Sequence, residues 1–120
     1  VGARCTFVFK QSEDKAVALY SHWGEDSMYN DLANALAHAA RRKGDESYYI
    51  RMAISYLIQD SVLDETGFGI YACDPYDQAF MDHPITIDLV DGMVGNGEDW
   101  HSIDEFINYH GNSSIAAAAR

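Results

Sequence analysis

"FGIYACDPYDQAFMDHPITIDLVD", residues 68–91, holds two strand-like runs around a polar loop, and how those runs pair decides the fold. The first, 68–74, is rich in the aromatic and branched residues that strands favour. The second, 85–91, alternates Ile85, Ile87 and Leu89 with Thr86, Asp88 and Val90, the period of a half-buried strand. Pro75 and Pro84 bound the loop, and the spacing predicts a long-looped hairpin.

Upstream, "RCTFVFK" (4–10) sets Cys5, Phe7 and Phe9 against Thr6, Val8 and Lys10, and "AVALYSH" (16–22) returns after a polar turn. These two runs read as a first hairpin. Between the hairpins lie two helical patterns. Tyr29, Leu32, Ala33, Leu36, Ala37 and Ala40 recur at helical spacing, with Ser27 as N-cap and Glu25, Asp26 and Asp31 near the positive end of the dipole. Arg41, Arg42 and Lys43 meet the negative end, and Gly44 suits a left-handed C′ position. The stretch 45–63 starts a second helix, capped by Asp45 or Ser47, with a stripe of Ile50, Ala53, Ile54, Leu57 and Ile58. Tyr49, Met52 and Tyr56 on its flank predict cover on more than one side, and Arg51 falls opposite the stripe near Tyr48 and Ser55. Downstream, "GMVGNGED" (92–99) reads as a flexible connection, and Ser102 caps a short helix ending at Gly111.

The expected architecture is α+β: β-hairpin, helical pair, β-hairpin and short C-terminal helix. The sheet is expected to be four-stranded and mostly antiparallel, with helices on one face. Residues 1–110 form the single expected domain, and 111–120 a flexible tail.

The chain of 120 residues is 48% hydrophobic, enough for one core without disulfide or metal support. No apolar run approaches the roughly 20 residues that span a bilayer. Cys5 and Cys73 can pair only if their strands are neighbours, and free thiols are the expectation in a reducing compartment.

The formal net charge of −11 argues against sequence-independent binding to nucleic acid or an anionic membrane. No lysine or arginine occurs between Arg51 and Arg120. Asp60, Asp64, Glu65, Asp74, Asp77, Asp88 and Asp91 within that stretch are candidates for an acidic face that docks on a basic partner. Solubility through net charge accounts for the same pattern.

A second candidate site gathers around the turn "YSHWGEDSMYNDL" (20–32). If the strand ends meet, His22, Trp23, Arg51, Thr66 and Phe68 could line one pocket suited to a nucleobase or another flat polar ligand. Closing the end of the sheet explains the tryptophan equally well. His22, His83, His101 and His110 lack metal-ligand spacings such as HExxH, and no nucleophile sits in a GxSxG elbow. The glycines of 92–97 match no phosphate loop. No catalytic residue, metal site or cofactor is therefore expected.

The segments "LYSHWG" (19–24), "ESYYIRMAISYLIQD" (46–60) and "ETGFGI" (65–70) resemble a loose group of small accessory proteins encoded by tailed bacteriophages and prophages. The likeness covers residues 5–90 and carries over no catalytic residues. It implies a viral protein acting in the host bacterial cytoplasm or packaged in a virion. Three functional expectations follow. The leading one is a non-enzymatic protein that occupies the basic surface of a host protein. Another is a sponge for a nucleotide-derived small molecule, deepened by homodimer formation. A third is a minor virion component.

Overall fold

The computed structural model describes residues 4–22, 24 and 27–112. In chain order the elements are β1 (Cys5–Ser12), β2 (Lys15–Ser21), α1 (Met28–Ala39), α2 (Glu46–Ile58) and β3 (Phe68–Cys73). Then follow β4 (Pro84–Asp88), β5 (Met93–Gly95), β6 (Trp100–Ser102) and α3 (Ile103–His110), and a short 3-10 turn, Ala40–Arg42, joins α1 to α2. The α+β class agrees with the sequence reading. The sheet does not: it has six strands in the order β3-β2-β1-β4-β5-β6, and it is mixed rather than mostly antiparallel.

The first hairpin forms as its alternation dictates, with Phe7 opposite Leu19 and Phe9 opposite Val17. The second expected hairpin does not form. β3 pairs with β2 at the edge of the sheet, whereas β4 runs parallel to β1 near its centre. Residues 74–83 must therefore cross over β2 and β1. The physical reason lies in β4, where Ile85, Thr86, Ile87 and Asp88 are all buried. A strand buried on both faces is an interior strand and pairs on both sides. The expected flexible connection is corrected as well. Residues 93–102 make a short hairpin, β5 against β6, closed by a turn in which Gly97 takes φ +127°.

Phe7, Phe9, Leu19, Ile85, Ile87 and Val94 point to one face and form a continuous core with Leu32, Leu36, Ile50, Ala53, Ile54, Phe106 and Ile107 of the helices. All three helices thus cover a single face, as expected. Tyr49 and Met52 are buried too, so α2 is covered on its flank. It ends at Ile58, where residues 59–63 turn away. Gly44 takes the left-handed conformation anticipated for it, at φ +92°. Ser27 does not cap α1 through its side chain; its hydroxyl donates instead to Asp31 at 2.7 Å. Ser102 does cap α3 and completes a capping box with Glu105.

The first two residues of the expected tail are tied down, one to α3 and the other to α1. Gly111 N–H donates to Ile107 O at 2.9 Å, and Asn112 N–H donates to the buried Asn34 at 2.9 Å. Residues 113–120 lie outside the described set, as do Trp23, Glu25 and Asp26.

Cys5 and Cys73 are not joined to each other in a disulfide. Cys5 is opposite Ser21 and Cys73 opposite Ala16, so they sit at opposite ends of strands two positions apart in the sheet. Burial, and then Asp74 and Asp77, push the Cys73 thiol above its ordinary value. A thiol held protonated is a poor nucleophile. In native protein at neutral pH, Cys73 is expected to react with a disulfide reagent several-fold more slowly than a free thiol. Cys5 is expected to react only on unfolding. Rapid release of two equivalents from native protein would contradict both statements.

Candidate functional site

The face of the sheet opposite the helices is where the sequence pattern misleads. Thr6, Val8, Lys10, Ala16, Ala18, Thr86 and Asp88 are buried there, although four of the seven are polar or charged. The crossover 74–83 covers them. Its Gln78 Nε2 donates to Thr86 Oγ1 at 2.7 Å and to Pro75 O at 2.8 Å, and Phe80 packs beside Tyr71 of β3.

Toward one end of this face, in the row that closes β4, stands Lys10, only 5% exposed. Register places it opposite Asp88 on β4. Its ammonium donates to the Tyr76 hydroxyl at 2.9 Å, to Glu13 Oε2 at 3.3 Å and to Asp88 Oδ2 at 3.4 Å. The Tyr76 hydroxyl in turn donates to Glu13 at 2.8 Å, closing the network. The Tyr76 hydrogen bond raises the Lys10 pKa most, and the charge and hydrogen bond of Asp88 and the hydrogen bond to Glu13 add to it, against burial that lowers it. The net result is an ammonium held well above its usual range. Asp88 is fixed from its other side, because Oδ1 accepts from the N–H groups of Val90 at 2.9 Å and Asp91 at 3.1 Å.

Beside this network opens a cleft of about 500 Å³. Lys10, Thr86 and Asp88 contribute from the sheet, Tyr76 and Gln78 from the crossover, and Trp100 from β6. Trp100 is placed by a glycine. A Cβ built on Gly95 would lie 2.5 Å from Trp100 Cδ2 and 2.5 Å from Asp99 O, so the indole lies down across β5 only because residue 95 has no side chain. The indole Nε1 donates to Gly97 O at 2.7 Å, which fixes the ring's orientation. Asp91 also lines the cleft and is exposed.

Chemically, the cleft joins an aromatic wall to carboxylates. Its one cation already spends three bonds on protein partners, Glu13 outside the lining among them, and Asp88 and Asp91 in the lining outnumber it. The Lys10–Asp88 contact of 3.4 Å is long for a charge-assisted hydrogen bond, so Asp88 Oδ2 retains capacity to accept another donor. Such an arrangement suits a guanidinium or ammonium group and opposes an anion.

The sequence-derived ligand corner is partly assembled. His22 N–H donates to Gly67 O at 2.8 Å, which brings His22, Thr66 and Phe68 to one end of the sheet. His22 Nδ1 shares a hydrogen bond with the Tyr20 hydroxyl at 3.2 Å. Phe68 is half-buried and lines a separate cavity with Asp31 and residues 56–61. Arg51 is not part of that wall: it is exposed on the outer side of α2 and donates to Ser55 at 3.4 Å. Trp23 lies outside the described residues.

The seven acidic candidates divide. Asp60, Asp64 and Glu65 precede β3, and Asp74 and Asp77 follow it, so the length of a six-residue strand, about 20 Å, separates the two groups. Asp91 falls near the second group, because Cys73, Ala16, Lys10 and Asp88 form one row across the sheet. Asp88 is 7% exposed and faces Lys10, so it belongs to the cleft network rather than to an open acidic surface. The seven therefore do not form one continuous face.

His101 and His110 meet on the helix side, but among the described residues no three histidine, cysteine or acidic side chains gather as a metal site. Burial lowers the His110 pKa, with the charge of His101 a second cause, and its ring packs against Phe106 and Tyr29. The unfolded chain then binds this proton more readily than the folded one. The neutral-imidazole contribution is complete above the unfolded value of about 6.5 and is lost as pH falls. Between about pH 7.5 and about pH 5, the melting temperature is expected to drop more in the wild type than in His110→Gln. Parallel curves would show that the packing is indifferent to charge.

No protein-family model, curated protein or solved structure matches the chain. Among the described residues no helix is long and apolar enough to cross a membrane.

Proposed function

We propose that this is a non-enzymatic binding protein that captures a basic partner protein, seating an arginine or lysine side chain of that partner in the cleft beside Trp100. The observation that carries this reading is the pairing of an indole wall with Asp88 and Asp91 around a lysine whose donors are already engaged. A cation entering the cleft gains the aromatic face and the carboxylates together. The acidic groups outside the cleft, with a net charge of −11, speed encounter and select against anionic competitors. The resemblance to phage accessory proteins supports a bacterial host protein as the partner. The expectation of a nucleotide-derived ligand finds less support, because phosphate would meet carboxylates in the cleft.

Anisotropy of a labelled arginine-rich peptide tests the proposal, with variants separating the cleft from general charge. Trp100→Ala is expected to weaken binding about tenfold and Asp91→Asn about threefold. Asp64→Asn with Glu65→Gln, which removes two charges far from the cleft, is expected to change affinity little except at low salt. Equal weakening by all three changes would reduce the interaction to net charge and defeat the proposal.

A further inference from the structure

A second cavity lies on the other side of the sheet, under the helices, and owes nothing to the cleft. Leu36, Ala40, Tyr49, Leu89, Ile103 and Ile107 give it a mostly apolar wall, and its volume is about 110 Å³. Tyr49 is 4% exposed, and its hydroxyl is the only buried side-chain polar atom without a hydrogen-bond partner among the described residues. Packing does not explain that hydroxyl. Phenylalanine would fill the same space without burying an unpaired polar group, which costs free energy. Burial, and after it the charge of Asp104, raises the Tyr49 pKa, so the phenol keeps its proton and has a donor to offer.

We infer that this cavity binds a small, neutral, largely apolar molecule bearing one hydrogen-bond acceptor, such as a carbonyl, which receives the Tyr49 hydroxyl. Neutrality follows from the surroundings: an apolar wall penalises any charge, and the three exposed charged groups at the cavity, Lys43, Glu46 and Asp104, are of both signs and select neither a cation nor an anion. Size follows from volume. An apolar cavity of about 150 Å³ takes benzene, so this one accommodates about five or six non-hydrogen atoms.

Cyclopentanone and cyclopentane are matched probes, of nearly the same shape and with and without the acceptor. Each is titrated into the full chain while backbone amide resonances are followed. Cyclopentanone is expected to give saturable shifts at Leu36, Tyr49, Leu89 and Ile107, and to bind about three- to tenfold more tightly than cyclopentane. Tyr49→Phe is expected to fold with an equal or higher melting temperature and to erase the preference for the ketone. Ala40→Leu, which fills the cavity, is expected to abolish both titrations and to leave arginine-peptide binding intact. Three outcomes overturn the inference: no saturable shift at these amides, equal affinity for the two probes, or a ketone preference that survives in Tyr49→Phe.

Discussion

Lys10→Met is expected to destabilise the protein by about 2 kcal/mol, measured by urea unfolding at neutral pH. The substitution keeps the apolar stem and removes the ammonium. Asp88 is then left buried, held only by the Val90 and Asp91 amides, and the Tyr76 hydroxyl and Glu13 lose a shared donor. Breaking a fully buried ion pair costs about 3–5 kcal/mol, and the lower figure reflects a pair that borders an open cleft. The double change Lys10→Met with Asp88→Leu is expected to cost less than the sum of the single changes, with a coupling of about 1 kcal/mol or more. Additive losses would mean that the two residues are independent. Since the folded Lys10 pKa is raised, its stabilising effect is complete below the unfolded value of about 10.4 and is lost only as pH rises through the folded value. The cost of Lys10→Met should therefore be flat from about pH 6 to about pH 9.

Gly95→Ala is the second large effect, at about 2–3 kcal/mol. The new methyl would press on the indole of Trp100 and also on the backbone oxygen of Asp99, each 2.5 Å away. Moving the side chain alone cannot relieve the second contact, so β5 and β6 must separate. In a Trp23→Phe background, Trp100 emission is expected to shift to the red, and arginine-peptide affinity should fall with it. A stable Gly95→Ala variant with unchanged emission would show that Trp100 does not depend on this seat.

Elements formed by neighbours in sequence were legible from the residues. The β1–β2 hairpin, the α1–α2 pair, the left-handed Gly44 and the Ser102 cap all follow from local alternation, turn chemistry and caps. Elements defined by distant partners were not. The run 85–91 alternates like a half-exposed strand, yet its polar positions Thr86 and Asp88 are buried, because residues 74–83 lie over that face. A pattern within one strand does not reveal what covers it. β5 and β6 have three residues each, too few for alternation to register. The cleft was missed for the same reasons: Lys10 and Asp88 are 78 residues apart, and each occupies a position that a half-exposed strand gives to solvent. The usable clue was their place at the ends of two strands of similar apolar pattern, where parallel pairing would oppose them. The acidic stretch was plain in the sequence, but composition carries no geometry, and β3 divides those carboxylates between two ends of the sheet.

Cation capture rests most directly on the Trp100 indole N–H resonance, followed in the Trp23→Phe background as an arginine-rich peptide is added. That signal is expected to move saturably together with the amides of Thr86 and Asp91, and to stay still when a nucleotide is added instead. An indole signal unmoved by the peptide, or one that responds to the nucleotide, would contradict a cleft built for cations.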